Sequence, residues 1–364
     1  MTRRFFLLMV MYIGTVVSAV GQNSLPSVNE IVDRHIQALG GRGKLGSIHS
    51  VVQHLVYREG SYVNPNASII RMRPYYKTLG EPKVLSDDVN EGYDGSAWEY
   101  YGNPGVVIRT VGAAAAAARH GTEMFDSLVD YGPLRTQIEL VGQETFAGKS
   151  AYHLHVTFAD GFAKEIFVDQ RAYLIVGDRR AAPVHAFGGA IRSETRIGEY
   201  KAVNGVLFPH SIREIEIATG RELNSVVVQS IEVNRPFRPS FFSPPQYRHT
   251  PLQQMLEQLY LERSDPMCVM WTYRGFRGAN PNLDTNDGVQ FIGYQMAKMG
   301  DYQAAIQLLS ANAEDHPKSA AAEFGLGRAF KAAGDSQGAR VHFQKALEID
   351  PNFKKASDGL NALK

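Results

Sequence analysis

The sequence predicts an α+β fold that carries an all-α C-terminal module, on three observations. Residues 137–234 read as short strands joined by tight turns: Tyr152, Leu154, Val156 and Phe158 lie on one side of a two-residue period, and His153, His155 and Thr157 on the other. Ahead of them Val28, Ile31, Val32, His35, Ile36 and Leu39 recur at helical spacing. Near the end the chain repeats itself, with Gly293, Gly300, Asp301, Ala305 and Pro317 returning 34 residues later as Gly327, Gly334, Asp335, Ala339 and Pro351.

A chain of 364 residues has length for two domains, or one large and one small. Its 38 Lys and Arg against 37 Asp and Glu leave a formal charge of +1, which disfavours a nucleic-acid partner. Cys268 is the only cysteine and excludes an internal disulfide, a CxxC redox pair and a cysteine-rich zinc site. Residues 1–21 read as a signal peptide: Arg3 and Arg4, an apolar run from Phe5 to Val17, then Val17-Ser18-Ala19 or Ala19-Val20-Gly21 as the cleavage site. Both the twin-arginine and the general secretory routes fit this leader. No later segment is long and apolar enough to span a bilayer, so a periplasmic or otherwise exported protein is expected.

In chain order, Ser27 and Glu30 form a capping box that opens a helix, and Gly40-Gly41 closes it. His35 lies on its apolar stripe and reads as a hydrogen-bonded core histidine. Strand-like runs follow at 50–57, 67–77, 84–93 and 97–101, punctuated by Gly60, Pro74 and Asp94-Gly95. The alanine run 113–118, continued by Met124, Phe125, Leu128 and Val129, predicts a helix across the open face of a curved sheet, with Arg119-His120 solvated. Asp160-Gly161, Asn204-Gly205 and Thr219-Gly220 mark hairpin turns, the last leading into a strand whose apolar set is Leu223, Val227, Ile231 and Val233. A proline-rich segment ends the β domain, which spans 27–245. Residues 246–285 read as a helix, 252–261, and a linker.

Candidate chemistry is sparse. His153 and His155 share a strand face and could reach one metal with a third ligand from His185, His210 or Asp169, although that face reads more simply as solvated. HExxH and Walker motifs are absent, and Asp87-Asp88 point opposite ways on a strand. No catalytic set, cofactor or metal is therefore expected. Arg179, Arg180, Arg192 and Arg196 read as a solvated face shared with Glu194. Trp98, Tyr100, Tyr152, Leu154, Val156 and Phe158 are the candidate lining of an apolar cavity, with ordinary core packing as the alternative.

The β region resembles the outer-membrane lipoprotein-sorting, LolA/LolB-like family. The likeness runs through Ala38-Leu39-Gly40-Gly41, Tyr93-Asp94-Gly95-Ser96-Ala97-Trp98, Glu139-Leu140-Val141-Gly142, Phe167-Val168-Asp169, Gly205-Val206-Leu207-Phe208-Pro209-His210 and Phe242-Ser243-Pro244, in the same order. The resemblance implies a curled antiparallel sheet, a half-open β-barrel covered by helices, around a cavity that suits a lipid or lipidated protein, without a catalytic set. The alternatives are a structural adaptor without lipid cargo and a metal-dependent enzyme at His153 and His155.

The C-terminal region, 286–364, resembles two tetratricopeptide repeats, 286–319 and 320–353, followed by a capping helix; Ile292 with Leu326 and Leu309 with Phe343 align as packing positions. Two repeats are few for a free-standing module, so this one is expected to lean on the 252–261 helix or on the β domain. The resemblance implies a protein or peptide partner in a groove lined by the first helix of each pair: Gln290, Tyr294 and Lys298, then Phe324, Arg328 and Lys331. Their aromatic and basic character suits an acidic peptide.

Overall fold

A computed structural model describes residues 25–80, 89–102, 105–130, 137–183, 186, 189–244 and 250–363. The predicted leader, Asp87-Asp88 and His185 lie outside these residues. Helices α1 (Val28–Leu39) and α2 (Arg42–Gly46) precede β1 (Ser50–Glu59), β2 (Tyr62–Met72), β3 (Tyr75–Leu79), β4 (Val89–Tyr93), β5 (Ala97–Tyr101) and β6 (Val106–Arg109). Two short helices, α3 (Gly112–His120) and α4 (Ser127–Asp130), lead into β7 (Gln137–Phe146), β8 (Lys149–Thr157), β9 (Ala163–Asp169), β10 (Ile175–Pro183) and β11 (Ala190–Gly198). The hairpin β12 (Lys201–Val203) and β13 (Val206–Phe208) stands apart, and β14 (Ser211–Glu216) and β15 (Glu222–Val233) complete the sheet.

Thirteen strands form one antiparallel sheet in the order β6-β5-β4-β3-β2-β1-β15-β14-β11-β10-β9-β8-β7. Its end strands β6 and β7 do not pair with each other, so the sheet curls without closing into a barrel. The first strand joins the two halves, because β1 pairs with β2 on one side and β15 on the other. Asn204 and Gly205 adopt positive φ at the β12–β13 turn, as the Asn-Gly pair requires.

Three local readings change. The 67–77 run is two strands, split at Arg73-Pro74. The alanine helix stops at His120 and resumes only as α4, so the apolar residues after it belong to a separate element. On β15 the apolar set is not uniformly odd-numbered: Val226 and Val228 are buried while Val227 is 44% exposed. A bulge, seen where His54 pairs with Ser230 but Leu55 with Val228, inserts one residue and reverses the alternation.

Helix α1 lies on the concave face. Ser27 accepts from the Glu30 N–H at 3.2 Å, and Ile31, Val32, Ile36 and Leu39 pack against Leu154, Val156, Ile166 and Phe208. Each such side chain contributes about 1.5–3 kcal/mol on burial. On the opposite face a 3-10 turn, Pro239–Phe242, places Phe242 against Val52 and Ile70.

The C-terminal helices are α5 (Pro251–Glu262), α6 (Pro266–Ala279), α7 (Asn286–Met299), α8 (Tyr302–Asp315), α9 (Ala320–Ala332), α10 (Ser336–Ile349) and α11 (Lys354–Asn361). Most of the stretch read as a linker is therefore helix α6, whose N-terminus Asp265 caps by accepting from the Met267 and Cys268 N–H groups. With α5 it makes a third hairpin ahead of the two repeats. The Gly, Pro and Asn content of that stretch reads as loop, yet Pro266 falls in the first turn of α6 and Gly275 and Gly278 are carried within the helix. In the repeats the recurring glycines permit close contact: a Cβ at Gly293 would lie 2.6 Å from Leu309, and one at Gly327 would lie 2.6 Å from Phe343. The module leans on the sheet, since Tyr101, Val106 and Ile108 share one core with Met255, Leu256, Leu259 and Val289.

His35 is fully buried, with Nδ1 at 2.7 Å from the Tyr173 carbonyl and Nε2 at 2.9 Å from Asp126 Oδ2. Burial pushes the imidazole down, but the Asp126 charge and hydrogen bond, with the Tyr173 carbonyl, outweigh it and hold His35 above its ordinary value. This stabilisation is full below the unfolded value of about 6.5 and is lost as pH rises through the raised folded value. Thermal unfolding is expected to show His35→Gln lowering the midpoint more at about pH 6 than at about pH 9. A difference that fails to narrow at high pH rejects the pairing.

Candidate functional site

The concave face is filled at one end and hollow at the other. Under α1 and α4 the side chains of β8 and β9 meet those of the helices in a continuous core. Beneath α3 lies a cavity of about 850 Å³, bounded by β1, β2 and β3 on one side and β10, β11, β14 and β15 on the other. The alanines make this space possible: Ala114, Ala117 and Ala118 turn toward the cavity side chains too short to fill it. The volume lies in the range of small-molecule sites.

Apolar walls come from Leu55, Ile69, Ile212 and Val226. Charged groups share the lining, and most are engaged. Glu214 accepts from Arg180 at 3.1 Å, from Ser193 at 2.7 Å and from Asn224 at 2.8 Å. Burial pushes its carboxyl up, but Arg180 and these hydrogen bonds prevail and hold it below the usual range. Arg71 donates to Gln53 at 2.6 Å and to the Gly121 carbonyl at 2.8 Å, tying β2 to the end of α3. At the far wall Lys164 lies 3.3 Å from Glu123, which also meets His120 at 3.0 Å and Ser127 at 2.7 Å. Burial opposes ionisation of Glu123, but Lys164, His120 and Ser127 bring it down to about 2.

Arg119 is exposed, yet the His120 ring is buried and stacked 4.5 Å from the Phe162 centroid. The expectation of a solvated His120 is thus corrected: α3 turns it inward toward the carboxylates of Glu123 and Asp160. Arg180 likewise leaves the solvated face assigned to it, because strand alternation directs it into the cavity while Arg179 and Arg196 meet Glu194 on the other side.

None of Trp98, Tyr100, Tyr152, Leu154, Val156 and Phe158 lines the cavity. Tyr152, Leu154, Val156 and Phe158 do face the concave side, but in the half that the helices fill. Trp98 is buried on the other face, its indole N–H donating to the Phe242 carbonyl at 3.0 Å, and neighbouring Tyr100 is half-buried. The lining, which includes Asp178, Thr195 and Glu214, carried one signal in the sequence: charges spaced by two from apolar residues on the same strand face, as in Asp178, Arg180 and Ala182 or Ile212 and Glu214.

The metal candidates are engaged with protein. Glu165 meets His153 Nε2 and His155 Nδ1, each at 2.7 Å, while His210 bonds the Phe208 carbonyl and Asp169 accepts from the Arg171 and Ala172 N–H groups. Among the described residues no group of three or more His, Cys, Asp or Glu could hold a metal ion, and no helix is long and apolar enough to cross a membrane.

In the repeats, the Arg328 guanidinium lies 3.5 Å from the Tyr294 ring centroid and 5.6 Å from that of Phe324, and Lys298 Nζ lies 5.7 Å from the Tyr294 centroid. The structure thus brings Tyr294, Lys298 and Arg328 together. Gln290 turns back to Asn286, Phe324 also packs on Phe343 and Phe353, and Lys331 is exposed.

A tetratricopeptide repeat family model matches residues 296–362, from the end of α7 through α11. None of the curated proteins compared matches the chain. Among solved structures the chain is similar to a LolA superfamily protein from Nitrosomonas europaea, at 10% identity, with 61% of this chain and 100% of that chain covered and a TM-score of 0.43. It is similar to a DUF1329 family protein from Desulfovibrio piger at 11% identity, with 59% and 97% covered and a TM-score of 0.37. A third, described as an outer membrane lipoprotein-sorting protein domain from Vibrio parahaemolyticus, matches at 10% identity, with 58% and 94% covered and a TM-score of 0.36.

Lys164→Met leaves the buried Glu123 without its cation and is expected to cost about 3 kcal/mol or more in chemical denaturation. Adding Glu123→Gln removes the stranded charge and is expected to restore most of the loss. A double variant as unstable as the single one argues against the pair.

Proposed function

We propose that the chain is an exported, non-catalytic protein of the bacterial envelope that holds a lipid or other apolar ligand under α3 and engages a protein through its helical repeats. The observation that carries the reading is the hollow half of the concave face, where a helix of alanines spans a sheet without filling it. An acyl chain entering such a space gains about 0.8 kcal/mol per buried CH₂. The lipoprotein-sorting resemblance in the sequence and the leader at residues 1–21 support export and an apolar cargo. The match to a repeat family supports a protein partner. Tyr294, Lys298 and Arg328, an aromatic and basic cluster, suit an acidic segment.

Native mass spectrometry of the leaderless chain incubated with dodecanol is the direct test. Uptake is expected in the parent protein and at least about tenfold weaker in Ala117→Trp, whose indole occupies the cavity. A parent chain that takes up no alkyl ligand sinks the carrier reading.

The repeats call for a separate measurement. Capture from envelope extracts by the full chain should lose a defined partner with Arg328→Glu, and an unchanged partner set rejects the groove as the docking site.

A further inference from the structure

The floor of the cavity carries a row of polar residues set side by side. Asp178 on β10 faces Thr195 on β11, Thr195 faces Glu214 on β14, and Glu214 faces Asn224 on β15. Glu214 and Asn224 satisfy each other with Arg180 and Ser193. At the other end Asp178 lies in the field of the Arg180 guanidinium, yet two polar atoms there lack a hydrogen bond. Asp178 Oδ1 and Thr195 Oγ1 are buried, belong to adjacent cavity-lining residues, and have no hydrogen-bond partner among the described residues. Thr195 is 7% exposed. Unmet polar atoms of this kind are costly, and native folds retain them where a ligand or water supplies the missing bond.

A carboxylate oxygen only accepts, so whatever completes Asp178 must donate. The charge balance narrows the donor. Glu59, Glu91, Glu99, Asp178 and Glu214 share the lining with Arg71, Lys164 and Arg180. Each of those cations has a protein acceptor already: Gln53 and the Gly121 carbonyl for Arg71, Glu123 for Lys164 and Glu214 for Arg180. Lys164 and Arg180 are thus neutralised by carboxylates and Arg71 is held by two neutral oxygens, so the carboxylates of the lining outnumber the cations open to an anionic head group. A protonated amine would add a charge-assisted bond to Asp178 and give a second N–H to Thr195.

We propose that the cavity takes an amphipath whose polar end is a protonated primary amine, with the ammonium on Asp178 and Thr195 and the hydrocarbon against Leu55, Ile69, Ile212 and Val226. The inference rests on the ligand-holding reading above and adds the head-group chemistry. The same ammonium occurs on simple alkylamines and on ethanolamine lipids.

The test is calorimetric titration of the leaderless chain with dodecylammonium, dodecanol, dodecanoate and a lauroyl lysophosphatidylethanolamine, all below micelle-forming concentrations. Dodecylammonium is expected to bind at least about tenfold more tightly than dodecanol or dodecanoate, as a charged hydrogen bond implies. Asp178→Asn and Thr195→Val should each bring the ammonium-to-alcohol ratio down toward one, and two variants guard against misfolding of either. Comparable binding of the lysolipid assigns the site to lipid head groups, and its exclusion assigns it to simple amines. Equal binding of alcohol, acid and amine, or an ammonium preference that survives both substitutions, overturns the inference and leaves the carrier reading standing. Binding of none of the four overturns both.

Discussion

Because β1 pairs on one side with β2 and on the other with β15, two runs of strands that are distant in sequence become one sheet. Removing that pairing would leave two small sheets with no shared concave face. Joining thirteen twisted strands makes the sheet curl, and irregular register in β1, at His54/Leu55 and Leu55/Tyr57, and in β10, β14 and β7 adds to the local twist. The curl creates a concave surface that α1, α3 and α4 must cover, and edge strands that must be protected.

The way the β6 edge is protected links the two parts of the chain. The Gln253 amide reaches the carbonyl and the N–H of Val107, doing with one side chain what another strand would do. Around it α5 contributes Met255, Leu256 and Leu259 to the same core as Val106 and Ile108. The connection also runs along the cavity wall. Glu99 lines the cavity, accepts from the Ala186 N–H at 2.7 Å and from the Tyr101 hydroxyl, and the Tyr101 ring lies tilted against Phe291 of the first repeat, 4.8 Å between centroids. Helices α5 and α7 are therefore packed into one core with the β5 and β6 edge of the sheet.

The cavity differs from the aromatic-lined one that the sequence suggested. Large side chains gather where helices can cover them, so Tyr152, Leu154, Val156 and Phe158 pack beneath α1 and α4. The hollow forms where the covering helix is made of alanine, and charges on the strands opposite hold it open because they cannot collapse into an apolar contact. A lining that mixes Leu55 and Ile69 with Asp178, Arg180 and Glu214 suits a molecule with both an apolar and a polar end.

Much of the architecture was legible in the sequence because it rests on local chemistry. Ser27 and Glu30 set a helix start, Asn204-Gly205 a hairpin turn, and the repeated glycines and alanines the close helix pairs, each acting within a few residues. Helix α6 differs from the linker reading because its Gly, Pro and Asn content resembles a loop, and the β15 face differs because a bulge opposite β1 reverses the alternation. The site was the least legible part. Asp178, Thr195 and Glu214 come from three strands, and Arg71 and Ala117 from two more elements; only the pairing of β10, β11 and β14 and the passage of α3 above them bring these residues to one cavity. Local pattern by itself determined the elements and their helical repeats. Long-range strand pairing decided which half of the concave face is filled and which is hollow, because burial depends on what lies opposite a side chain and not on its neighbours in the chain.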